Sequence, residues 1–184
     1  MSQKGLRPVP ALALAIALLA GCGATLGGSN PDAVTRGAFK ADYLSARGSL
    51  ERGRFEQATR GYEALLDRGG PATPRIRLEY AHALLRADRF EAASRTAQKA
   101  ASEHEGLARA SALSVQATAD HEIARAALSR GQADAETQAR LVSARDAFDA
   151  ILKEHPELDP MGGLAARRDE AARAEAQLRR RLGQ

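Results

Sequence analysis

The chain has 184 residues and a single cysteine, with 27 Lys and Arg against 23 Asp and Glu, for a formal charge of +4. That length suits one domain, and a lone cysteine excludes an intramolecular disulfide, so the fold stands on its apolar core. Two of the cations, Lys4 and Arg7, belong to an N-terminal export pattern; without them the charge is +2, too small a surplus to mark a nucleic-acid binder.

Behind Lys4 and Arg7, the stretch from Val9 to Ala20 is mostly Ala, Leu and Ile, interrupted by Pro10. It runs about 12 residues where a bilayer span needs roughly 20, so it reads as the core of a signal peptide and not as an anchor. Leu19-Ala20-Gly21-Cys22 resembles the bacterial lipobox, in which small residues precede a cysteine that becomes the mature N-terminus. The resemblance implies removal of residues 1–21 and a covalent lipid on Cys22, with no other cofactor. One acyl chain binds membranes only marginally, at about 0.8 kcal/mol per buried methylene, but two or three anchor firmly. Gly23 follows the cysteine, and lipoproteins of this type that stay in the inner membrane tend to carry Asp there. The resemblance therefore implies a lipid-anchored outer-membrane protein facing the periplasm.

Residues 22–35 are rich in Gly, Ser, Asn and Pro and read as a flexible tether ahead of a helical domain at 36–184. Beyond Thr35, Ala, Leu, Arg, Glu and Gln dominate without strand alternation, which predicts an all-α body. Helices are expected over 37–51, 55–67, 74–87, 90–103, 107–129, 136–154 and 161–182. Thr73-Pro74 has the pattern of an N-cap with proline at the first helical position, and Asp88 with Glu91 that of a capping box. Gly53 and Gly69-Gly70 punctuate helix ends.

The segment RFEQATR at 54–60 recurs as RFEAASR at 89–95, and the same shift of 35 superposes Leu50 on Leu85 and Ala46 on Ala81. A helix–turn–helix period near 34 resembles the tetratricopeptide family. Small Ala46 and Ala81, aromatic Phe55 and Phe90, and small Ala58 and Ala93 fall at that family's pattern positions, though its tryptophan is absent. A third unit is irregular: SARDAFDAILKEHP at 143–156 matches a second helix, with Ala144 at the small position and Phe148 at that of Tyr62. Ala144 nevertheless follows Ala93 by 51 residues, 16 beyond the period, so a helix is longer there or a loop is inserted around Arg130–Glu136. The body is thus expected as a superhelical stack of about three units, closed by a polar C-terminal capping helix. A lipobox, two regular repeats, a longer third unit and a terminal AEAQLRRRL together resemble the tetratricopeptide lipoproteins of the outer-membrane β-barrel assembly machine, in a shorter form. Tetratricopeptide lipoproteins of pilus secretin assembly share this architecture.

No catalytic residues stand out. Phosphate-binding glycine loops, zincin pairs and nucleophile elbows are missing from the sequence, and His82, His104, His121 and His155 are scattered without metal-ligand spacing. No metal, nucleic acid or small-molecule substrate is expected. Transferring the family's groove positions at the 35-residue shift selects Lys40, Tyr43, Arg47 and Leu50 beside Arg75, Leu78, His82 and Leu85. Such a face would suit a peptide with acidic groups or a free carboxylate, offered by a protein partner of the cell envelope. Two readings follow: a membrane-anchored adaptor, or a structural lipoprotein that packs laterally into an envelope, pilus or secretion complex without a peptide groove. The run Arg179, Arg180 and Arg181 complements a helix C-terminus, with attraction to anionic lipid headgroups as another reading.

Overall fold

The computed structural model describes residues 31–183, and within them the chain is all-α. Seven helices follow one another: α1 (Pro31–Glu51), α2 (Phe55–Leu66), α3 (Thr73–Arg86), α4 (Phe90–Ser102), α5 (Gly106–Ser129), α6 (Ala135–Glu154) and α7 (Gly163–Leu182). Each packs on the next, and α5 also touches α3 and α7. The signal segment, the lipobox Leu19-Ala20-Gly21-Cys22 and most of the expected tether lie outside the described residues. Helix α1 begins at Pro31, six residues ahead of the expected 37, so it takes up the tether's last stretch; proline suits a first helical turn because its missing N–H has no partner there anyway.

The 35-residue shift holds at atomic detail in the turns. Gly53 (φ 73°) and Asp88 (φ 56°) occupy the same left-handed position. Around them the Arg54 N–H donates to the Ser49 carbonyl at 2.8 Å and the Arg89 N–H to the Leu84 carbonyl at 2.9 Å, closing a Schellman motif each time. Asp88 is therefore no N-cap, and the expected capping box with Glu91 does not form: α4 starts without a side-chain cap. The expected cap at Thr73 is likewise absent, because Thr73 is already helical and its hydroxyl donates back to the Leu66 carbonyl at 3.3 Å. Side-chain caps act elsewhere. The Thr137 N–H donates to Asp134 Oδ1 at 2.8 Å, and Asp159 receives the Leu164 and Ala165 N–H groups at 2.9 and 3.0 Å.

Small residues set the helix spacing. Ala46, Ala58, Ala81 and Ala93 are buried, as the repeat requires. One close crossing is not singled out by the repeat pattern: a Cβ on Gly61 would stand 2.8 Å from the Ala46 Cβ, so glycine there lets α2 lie against α1. Tyr62, Leu65, Ile76 and Ala83 complete this first core.

The third hairpin has the same turn, with Gly131 at φ 78° and the Gln132 N–H donating to the Ala127 carbonyl at 3.0 Å. Ala124 precedes Gly131 by the same seven residues that separate Ala46 from Gly53, yet it follows Ala81 by 43, eight beyond the period. Ala124 clusters with Leu141, while Ala144 and Phe148 pack on Ala117, two turns earlier on α5. The 16 extra residues are thus shared, about eight to each arm; two of them widen the loop between Gly131 and Ala135, and the rest go mainly to longer helices. Ala144 and Phe148 are buried as expected, but against Ala117, which lies two helical turns further from the hairpin turn than Ala124 does. Helix α7 covers the end of this hairpin through Ala171 and Leu178, which join Ala124 and Leu141.

Candidate functional site

Helices α1 and α3 run side by side with α2 behind them, and a depression of about 410 Å³ opens between them. Arg47, Leu50 and Glu51 line it from α1, and Arg75, Glu79, His82 and Arg86 from α3, with Tyr62 of α2 at the floor. Four of the eight sequence-selected groove residues, Arg47, Leu50, Arg75 and His82, therefore meet on one cavity. Tyr43 stands at its edge, with the Arg75 guanidinium 5.7 Å from its ring centre. The other three sit apart. Lys40 is exposed nearer the start of α1, Leu78 packs on Ala100, Ala101 and Ala112, and Leu85 packs on Ala81, Ala97 and Val115. Leu85 faces α4 and α5, where its edge also lines a neighbouring depression.

Glu79, absent from the sequence-selected set, organises the depression. Its carboxylate accepts from the Tyr43 hydroxyl at 2.7 Å, the Tyr62 hydroxyl at 2.8 Å and Arg75 Nε at 3.1 Å. The Tyr43 and Tyr62 rings meet edge to face at 6.4 Å, so two aromatic rings and one carboxylate tie α1, α2 and α3 together. Burial, reinforced by the adjacent Glu79, raises both phenols above their ordinary range, and they remain neutral donors. The Arg75–Glu79 pair has i,i+4 spacing, a signal that the sequence offers directly. Arg47 is likewise occupied, by Glu51 at 2.9 Å.

A second depression, of about 290 Å³, continues from the first. Leu85, Arg86, Asp88 and Phe90 line one side, and Thr118 and Glu122 of α5 with Arg167 of α7 the other. Arg86 belongs to both. Its guanidinium lies 4.5 Å from the centre of the Phe55 ring.

Behind this second depression, His121 is fully buried between α5 and α7. Arg167 Nη1 lies 3.4 Å from its Nδ1 and Glu170 Oε2 3.9 Å from its Nε2, with Glu122 and Arg125 alongside. Burial pushes its pKa below the ordinary histidine value; Arg167 and Arg125 reinforce this, and Glu170 and Glu122 oppose it. His82 is lowered by burial too. The folded state thus refuses a proton that the unfolded chain accepts, so stability falls as pH drops below about 6.5, by no more than about 1.4 kcal/mol per pH unit per histidine. Thermal melts between pH 7 and 5 are expected to shift downward with acid, and His121→Gln should flatten the curve. A profile unchanged by that substitution would remove His121 from the account.

Asp120, also buried, accepts from Ser94 at 2.9 Å and Arg140 at 3.1 Å, linking α4, α5 and α6. Burial raises its pKa, opposed by those two partners. Among the described residues no group of three His, Cys, Asp or Glu side chains could hold a metal ion, and no helix is long and apolar enough to cross a membrane. No family model, curated protein or solved structure matches the chain.

Proposed function

We propose that the chain is a lipid-anchored periplasmic adaptor built on tetratricopeptide-type helical hairpins, which holds a protein partner of the envelope in the groove along α1, α3 and α5. The observation that carries this reading is the meeting of Arg47, Leu50, Arg75 and His82, from two helices 35 residues apart, on one open depression. The recurrence of the Schellman turn at Gly53 and Asp88 supports the repeat. Grooves formed by stacked first helices are the extended binding surfaces of solenoid proteins.

Anchoring is tested separately from binding. Cys22→Ser should leave the protein unprocessed or soluble, and mass spectrometry of the mature N-terminus should find acyl groups on Cys22; an unmodified cysteine or cleavage elsewhere overturns the anchor. For binding, a photocrosslinking side chain is placed at position 47 in the groove and, as a control, at position 176 on α7. An adaptor captures its partner from position 47. Capture from position 176 alone supports a lateral structural subunit instead.

A further inference from the structure

Four guanidinium groups line the two depressions, and three are engaged. Arg47 pairs with Glu51 at 2.9 Å, Arg75 with Glu79 at 3.1 Å, and Arg167 with Glu122. The fourth, Arg86, has no carboxylate within ion-pair distance among the described residues; it lies over the Phe55 ring, its guanidinium carbon 4.5 Å from the ring centre. Asp88, exposed in the turn, pairs with no cation either. Stacking on a ring fixes the plane of a guanidinium while leaving its in-plane N–H groups free. Those N–H groups form a fork that matches a carboxylate in bidentate geometry, and ordering the fork beforehand lowers the entropy lost on binding.

Position adds direction. Arg86 lines both depressions, so a strand bound at its guanidinium can continue either way: toward Leu50 over α1, or toward Leu85 and Phe90 beside α5. A chain terminus does not need this, whereas an internal residue does. We propose that Arg86 is the anchor of the groove, and that it takes the side-chain carboxylate of an internal Asp or Glu, flanked by apolar residues, in an extended peptide of the partner. This rests on the groove reading above and shifts the anion-binding role from Arg47 and Arg75, whose charges are already matched within the fold.

The test uses two pools of N-acetylated, C-amidated heptapeptides with randomised flanks, one with Asp or Glu fixed at the centre and the other with Asn or Gln. Retention on the full mature chain should favour the acidic pool at least tenfold. Arg86→Gln should abolish that preference, and Arg86→Lys, which keeps the charge but not the fork, should recover only a small part of it. Circular dichroism melts of both variants check that the fold persists; if Arg86→Gln unfolds, the preference lost by Arg86→Lys decides the matter. Equal retention of the two pools, retention of neither, or a preference that survives Arg86→Gln overturns the inference. Crosslinking of a partner from position 47 under any of those results would leave the adaptor reading standing without this anchor.

Discussion

Replacing Phe148 with alanine is expected to cost about 3–5 kcal/mol, at the upper end for a single aromatic deletion. Phe148 is fully buried, and its neighbours in the core include Ala117, Ala144, Ala147 and Leu164. Alanine has no rotamer with which to fill a void, so the cavity stays open and the cost does not relax. For a domain of this size such a loss lowers the melting temperature by roughly 6–20 °C. Phe148→Leu, which keeps most of the volume, should cost under about 1.5 kcal/mol. Denaturant titration of the two variants measures the difference, and a Phe148→Ala loss below about 1 kcal/mol would contradict the packing of the lengthened hairpin.

Removing the Glu175 side chain is expected to cost about 1.5–3 kcal/mol and to loosen α7 first. Glu175 is 3% exposed on the face of α7 that meets α6. Its Oε2 pairs with Arg145 of α6, while Arg179 approaches Oε1 at 2.9 Å at an angle too oblique for a hydrogen bond. Glu175→Ala leaves Arg145, 30% exposed, with Asp146 at 2.7 Å as its remaining carboxylate, so what is lost is the charged hydrogen bond that crosses from α6 to α7. The double variant Arg145→Leu with Glu175→Leu should accordingly recover most of the loss. Hydrogen exchange along 163–182 should rise in the single variant and fall back in the double one; equal exchange in both would deny the pair its role in docking α7.

Periodicity alone located all seven helices, because the apolar positions recur at helical spacing and the spacer residues are unambiguous. The recurrence of the regular hairpins was legible in the paired segments RFEQATR and RFEAASR, whereas the equivalence of Asp88 to Gly53 in the turn was not, because their side chains differ. Caps were not. Thr73 and Asp88 have cap chemistry, but tertiary packing extends α3 back to Thr73, and the Schellman turn claims Asp88 for the left-handed position. The third unit was legible in part: the spacing calls for a longer helix or an inserted loop, and α5 is longer, but the sequence does not show that the extra turns move the partner of the Ala144 motif from Ala124 to Ala117. In the groove, the 35-residue shift brings Arg47, Arg75 and His82 to one depression, leaves Lys40 apart from it, and is silent about occupancy. The i,i+4 pairing of Glu79 with Arg75 is legible in the sequence, but its bonds to Tyr43 and Tyr62, 36 and 17 residues away, and the stacking of Arg86 on Phe55 emerge only once the helices are packed together.

The early start of α1 changes how the groove is presented. From Pro31 to Arg47 the chain rises as one continuous helix, about 24 Å at 1.5 Å per residue. Arg47, Leu50 and Glu51, which line the first depression from α1, lie near the end of that helix opposite Pro31. The α1 wall of the depression is thereby set about 24 Å along a continuous helix from Pro31. A helix transmits orientation where a slack linker would absorb it, so the direction of the chain at Pro31 and the direction in which that wall faces are coupled.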